Sequence, residues 1–365
     1  MKTNNGYVIT SSPQIHDWAS TARIMWSVSA CLAPAGIWGV YIFGIKALIV
    51  ILVSIGSALV AELLMGAIFK KFTLFDGSAF LTGLLVGYNM PPTVPLYVPL
   101  VASFFAIGVV KWTFGGLGAN WMNPALGGRV FVFFSWTGAM TTWLLPRTLV
   151  SSSVTAVTGA TPLGFVKTGL LESGGTYASG MEYLSRNGYP QSGMDEAVRQ
   201  WFGNHLGINL QAGFVDLFIG NIPGCIGEVS ALLLILGSIY LFIKKIITWD
   251  IPVAFLGTFS ILIWIFGGVR YGNGMFSGDI VFHLFTGGLV LAALYMATDM
   301  VTSPLTMKGR IIYGIGIGFF AFLIRIYGSF PEGASLAVIL MNIMVPLINR
   351  FTGPKRFGMA KGKAS

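Results

Sequence analysis

The tetrapeptide Thr158-Gly159-Ala160-Thr161, followed by Pro162, carries the plainest chemical potential in this chain. Two hydroxyl side chains bracket two small residues, so a modifying enzyme has room to attach a bulky phosphate-bearing group. Pro162 disfavours helical geometry at the residue before it, which predicts an extended Thr161 with its side chain directed outward. Thr161 is the candidate acceptor; Thr158 reads as a recognition residue, and Gly159 and Ala160 as the small residues that permit close approach. Asn120 and Asn123 form a second candidate site. Three residues apart, they share a face if the stretch is helical, and their amides both donate and accept. Capping is the competing reading, with Asn123 as N-cap before Pro124. The third group is charge within apolar stretches: Glu62, Arg129 and Glu228, with Asp299 at the end of one such stretch. Charges in hydrocarbon are costly and mark either ion pathways or pairs. Arg129 calls for a carboxylate such as Glu62, or for an anionic ligand. Asp299 reads as an ion-pathway group or as an interfacial partner of Lys308 or Arg310.

Membrane helices must position these residues. The 365 residues are 55% hydrophobic and only 10% charged, against about 25% charged in soluble domains. An all-α integral membrane protein is predicted. Ten apolar segments are near the ~20-residue span length: 22–44, 47–69, 78–94, 95–112, 120–138, 220–243, 251–268, 279–298, 310–327 and 333–349. The third runs into Pro91-Pro92 and the fifth opens with a Gly-rich stretch from Phe114 to Asn123, so both are read as broken or half helices buried in protein. Gly115, Gly116 and Gly118 permit close helix packing or the close approach of a ring, with packing the preferred reading. The net charge of +9 follows membrane topology, not nucleic-acid binding. Lys70, Lys71, Lys111, Lys244, Lys245, Lys308 and Arg310 share one side when both termini are cytoplasmic.

That topology puts the loop 139–218 on the outer face, with five acidic and four basic residues, enough for a small subdomain. The chain then divides into a five-helix half (1–138), the outer loop (139–218), a second half (219–350) and a basic cytoplasmic tail (351–365). Leu81-Thr82-Gly83 with Phe285-Thr286-Gly287, and Gly118-Ala119-Asn120 with Gly333-Ala334-Ser335, suggest a duplication. An odd number of spans per half makes the two halves inverted. Residues 1–21 are polar and carry no cleavable apolar segment. Cys31 and Cys225 read as small core residues, with an iron–sulfur role shared with a partner as the rarer alternative. His16, His205 and His283 are too scattered for a metal site.

Several segments together resemble one family. SSPQIHDWASTARIM (11–25), FLTGLLVGYNMPPTVPLYV (80–98), FGGLGANWMNPALGGRVFVFF (114–134), MATDMVTSPLTMKGRIIYG (296–314) and YGSFPEGASLAVILMNIMVPLI (327–348) are similar to the membrane D subunits of Rnf electron-transport complexes. The B subunits of sodium-pumping NADH:quinone reductases share these signatures but usually carry a longer N-terminal extension. The resemblance implies ten transmembrane helices in two inverted five-helix halves with broken helices. It implies a subunit, not catalytic alone, of a prokaryotic cytoplasmic-membrane complex that couples electron transfer between ferredoxin and NAD to Na+ or H+ translocation. Flavin mononucleotide (FMN) would be joined through its phosphate to Thr161 by a flavin transferase on the outer face. Riboflavin, bound non-covalently, would lie near Asn120 and Asn123, and Arg129 would stabilise a reduced flavin. Partners would be iron–sulfur, NAD-binding and second FMN-carrying subunits. One position departs from the pattern: the transferase motif usually has an aspartate where this chain has Thr155. The implied coupling is electrostatic, since added negative charge in a low-dielectric medium draws a compensating cation.

Three other readings remain at this level. They are the quinone-reductase subunit, a solute channel or transporter built from inverted repeats, and a structural scaffold with Thr161 unmodified.

Overall fold

The computed structural model describes residues 20–149, 158–173, 177, 179–207, 210–228, 230–328 and 333–353. Thr155, His16, most of segment 11–25 and the tail beyond 353 lie outside the described residues. Helix α1 (Thr21–Phe43) starts at Ser20, whose hydroxyl accepts from the Arg23 amide. It turns through one residue, Gly44 at φ +80°, into α2 (Ile45–Phe69). α3 (Ser78–Tyr88), α4 (Tyr97–Phe104, continued as a π-helix through Trp112) and α5 (Pro124–Ser135) complete the first half. The short α6 (Thr137–Met140) leads into the 139–218 segment. α7 (Pro162–Ser173), α8 (Gly180–Arg186), α9 (Gly193–Leu206) and α10 (Phe214–Ile219) follow. The second half holds α11 (Ala231–Ile243), α12 (Asp250–Phe266), α13 (Ile280–Phe285), α14 (Leu289–Leu291, π-helical through Met296), α15 (Met307–Tyr327) and α16 (Ala334–Thr352).

Each predicted span is occupied by helix, and no strand occurs among the described residues. The chain is an all-α, multi-pass membrane protein. Among the described residues, five helices are long and apolar enough to cross a bilayer alone: α1, α2, α12 with its 3-10 extension to Tyr271, α15 and α16. The 25 residues of α2 reach about 37 Å at 1.5 Å per residue, ample for a core of about 30 Å. α3, at 11 residues, reaches halfway.

The breaks satisfy one another, as backbone at membrane depth requires. The chain after α3 meets the irregular chain before α11: the Ile226 amide donates to the Met90 carbonyl at 3.1 Å and Gly227 to the Tyr88 carbonyl at 2.9 Å. Gly227 lies so close to Tyr88 that a Cβ would fall 2.2 Å from its ring. The third break separates α13 from α14 at Thr286–Gly288. There a Cβ on Gly288 would strike the Glu228 carboxylate.

α2 packs on α4 and α12 on α15, α4 on α5 and α15 on α16. Between halves, first helix meets first (α1 with α11) and last meets last (α5 with α16). α1 and α11 run antiparallel: Gly39 lies on Ile226, whereas Cys31 lies on Gly237. Tyr88 donates to the Leu32 carbonyl of α1 at 2.8 Å, and Tyr295 to the Leu234 carbonyl of α11 at 2.9 Å.

The 139–218 segment packs against the membrane helices. Leu163, Val166, Leu170, Met181 and Leu184 belong to the same core cluster as the membrane helices. Two carboxylates tie α9 to α10. Asp195 accepts from the amides of Gly213 and Val215, both at 2.9 Å, while Asp216 accepts from the amide and hydroxyl of Ser192. Burial pushes the Asp216 carboxyl above its ordinary range, against the pull of those bonds. Asp195→Ala is expected to cost about 1–3 kcal/mol locally, because it orphans the buried Val215 amide and the part-buried Gly213 amide. Faster proteolytic cleavage between α9 and α10, with the membrane helices still protected, is the result that checks it.

Candidate functional site

Arg129 projects from α5 to the place where the three breaks converge. Its Nη1 donates to Asn89 Oδ1 and Glu228 Oε1, both at 2.6 Å, and to Ser335 Oγ at 2.7 Å, and Nη2 approaches Cys225 Sγ at 3.6 Å. The pair with Glu228 is buried on both sides. A short, charge-assisted bond in this setting fixes the α3 end, the α11 entrance and the start of α16 against α5. The carboxylate that Arg129 needs is therefore Glu228, not Glu62. Arg129 also does not reach the cavity that holds Asn120 and Asn123. It lines a separate space with Trp143, Cys225 and Ser335.

Glu62 has its own cation. Lys111 Nζ lies 2.8 Å from its Oε1, Trp112 Nε1 donates to Oε2 at 3.0 Å, and Thr73 also donates to it. Lys111 further donates to Ser78 Oγ at 2.7 Å, and Ser78 donates to Asp76. Lys111 was legible only as a topology marker. Its depth inside an apolar run is the signal that it needs an acid.

A cavity of about 100 Å³ opens between α1, α3, the Gly-rich loop and the chain after α14. Asn120, Asn123, Lys111, Tyr295 and Asp299 all contribute to its wall. The two asparagines share the cavity but not a helix, because α5 begins only at Pro124. Asn123 is the N-cap: Oδ1 accepts from the amides of Ala125 and Leu126, and Nδ2 donates to the Met296 carbonyl at 3.2 Å. Asn120 is different. Its Nδ2 donates to the Met122 carbonyl, but Oδ1 is buried with no hydrogen-bond partner. A buried carbonyl oxygen left unpaired is costly, and a ligand N–H donor in the cavity would satisfy it. Gly115, Gly116 and Gly118 carry φ of +118°, +99° and +94°. They serve a backbone conformation, not the helix packing expected of them, since a Cβ on Gly118 would meet nothing within 4 Å.

Asp299 is half-buried and accepts from Thr302 Oγ1 at 3.0 Å and from the Val301 amide. It pairs with neither Lys308 nor Arg310: Arg310 holds Asp250 through Nε at 2.8 Å and Nη2 at 2.7 Å.

Thr161 is turned in, not out. It is 7% exposed and lines a small cavity of about 20 Å³ with Ile222, Pro223, Glu228 and Gly287. The cause is local. Its Oγ1 accepts from the Gly164 amide at 3.1 Å and its carbonyl from Phe165, so Thr161 is the N-cap of α7 with Pro162 at the first helical position. Thr158 is exposed, in an isolated bridge to Leu144, and the Gly159 amide donates to the Trp143 carbonyl. A Cβ on Gly159 would press on Leu145 at 3.0 Å. Farther along α7, Lys167 donates to the carbonyls of Arg325 at 2.9 Å and Gly328 at 2.6 Å. Burial, with Arg270 and Arg325 nearby, lowers its ammonium to about 8. Nothing in the sequence singles out Lys167, because its role depends on the end of α15.

Comparison with known proteins bears on this geometry. Residues 8–358 match the model of the NQR2, RnfD, RnfE family, and the chain belongs to that family. It is 44% identical over 355 residues to the D subunit of the proton-translocating ferredoxin:NAD(+) oxidoreductase complex of Clostridium ljungdahlii, covering 97% of each chain. It is 38% identical to the D subunit of the Na(+)-translocating ferredoxin:NAD(+) oxidoreductase complex of Acetobacterium woodii, covering 97% of this chain and 96% of that one. The D subunit of an ion-translocating oxidoreductase complex from Stutzerimonas stutzeri is 36% identical over 94% of both chains.

Proposed function

We propose that this chain is the membrane-embedded D subunit of an Rnf-type complex that couples electron transfer between ferredoxin and NAD to ion translocation. It carries FMN esterified to Thr161 and holds a second, non-covalent flavin in the cavity of Asn120. The observation that carries this reading is the position of Thr161 Oγ1 at the head of a 12-residue helix. A phosphate joined to that oxygen would lie at the positive dipole end of α7. Asn120 Oδ1 offers the second flavin an acceptor. Bound flavins supply one- and two-electron chemistry, while the protein supplies position and electrostatics. The NAD and ferredoxin sites belong to partner subunits.

Of the three acids considered for the ion path, Glu62 and Glu228 are committed to Lys111 and Arg129. Asp299, which makes no ion pair among the described residues, is the candidate cation ligand at the cavity wall. The names of the relatives divide between H+ and Na+. In this reading both termini are cytoplasmic, and α7 lies on the outer face of the cytoplasmic membrane.

Peptide mass spectrometry with in-gel fluorescence tests the proposal. An FMN adduct on the peptide containing Thr161 is the expected result. An unmodified peptide from cells with an active flavin transferase sinks it and leaves the transporter reading in front. Asn120→Ala is expected to lose the flavin released by denaturation while keeping the adduct on Thr161. Equal release from variant and wild type would remove Asn120 from that role.

A further inference from the structure

We infer that the flavin nucleotide is joined to Thr161 before α7 seats on the membrane core, and that seating then closes the acceptor to the transferase. This rests on Thr161 being the acceptor. The transfer forms a bond between Thr161 Oγ and the flavin-side phosphorus of flavin adenine dinucleotide. It breaks the pyrophosphate P–O bond, releases adenosine monophosphate and passes the hydroxyl proton to water. The attacking and leaving oxygens lie roughly in line across the phosphorus. Oγ must therefore stand clear at the surface of the enzyme, with the dinucleotide extended beyond it.

The seated structure allows no such approach. Thr161 is 7% exposed, and its Oγ1 is held against the Gly164 amide. The motif is pinned on both sides of the acceptor. Tyr189 donates its hydroxyl to the Ala160 carbonyl at 3.0 Å, and the Gly159 amide is bonded to Trp143. α7 itself is clamped: Leu163, Val166 and Leu170 are core residues, and Lys167 reaches the two carbonyls at the end of α15. Freeing Oγ requires the first turn of α7 to lift as a local unit, with these contacts broken together.

The test compares times of addition. Full-length chain is synthesised into lipid vesicles with transferase and flavin adenine dinucleotide present throughout. In the parallel sample both are added after synthesis is complete. Adduct on the Thr161 peptide is read by mass. Early addition is expected to label the wild-type chain fully, and late addition to label it slowly. Lys167→Ala and the milder Tyr189→Phe should restore late labelling, by about tenfold or more for the charge-assisted lysine bonds. Late labelling of the wild type as fast as early labelling, with no gain in either variant, would overturn the inference. An adduct in none of the samples would overturn the acceptor assignment itself, and this inference with it.

Discussion

Thr161→Asn is expected to yield a folded chain with no flavin adduct and a complex that has lost ion-coupled turnover. Asparagine caps helices as well as serine or threonine does, because its side-chain oxygen also accepts from the first-turn amides. It keeps the bond now made to Gly164 but has no hydroxyl to esterify. Thr161→Val removes both functions and adds a cost of about 0.5–2 kcal/mol for the lost cap. Thr161→Ser keeps both. Thermal stability should thus fall only in the valine variant, whereas mass and fluorescence should lose the adduct in both valine and asparagine variants. Normal coupled turnover by Thr161→Asn would remove the covalent flavin from the mechanism.

Arg129→Met is the substitution expected to damage the fold most. It strips Glu228 of its guanidinium in a site where both side chains are buried, and breaking such a pair costs about 3–5 kcal/mol. Asn89 and Ser335 lose the same donor, so the loss falls on the junction of α3, α5, α11 and α16. Pairing it with Glu228→Gln removes the stranded charge and should recover most of the stability, since a buried pair is often replaceable as a unit. Midpoints of thermal unfolding in detergent for the two single variants and the double variant form the cycle. A double variant no more stable than Arg129→Met would show that the geometry of the guanidinium matters more than its charge.

The long helices α1, α2, α12, α15 and α16 are legible because each holds an apolar window long enough to cross a bilayer, so composition alone marks them. The broken elements were legible from Pro91-Pro92 and from the glycines before α5. What the breaks do was not. Their backbone partners, Met90 with Ile226 and Tyr88 with Gly227, are separated by more than a hundred residues and carry no local signal. The choice between Glu62 and Glu228 as the partner of Arg129 was likewise tertiary, since both are acids within apolar runs. Spacing misled at Asn120 and Asn123, where a helical face was inferred for a stretch that the glycines keep out of helix. At Thr161 the proline has a second consequence that its backbone effect alone does not show: a threonine before a first-turn proline caps, and a cap turns its side chain inward to the helix.

The π-helical stretch from Phe105 to Trp112 has a consequence for sequence change. A π turn is an α-helix that holds one residue more per turn, with hydrogen bonds reaching five residues on, as from Gly116 to Lys111. In most membrane helices, deleting one residue leaves no regular end state without shifting everything beyond it by about 100°. Here a deletion has an unstrained α-helical product waiting for it. That product would swing Lys111 and Trp112, both bonded to Glu62, off their carboxylate. Along this helix, deletions are cheap for the backbone and expensive for the charge pair, so a lineage that shortens this segment must also neutralise Glu62.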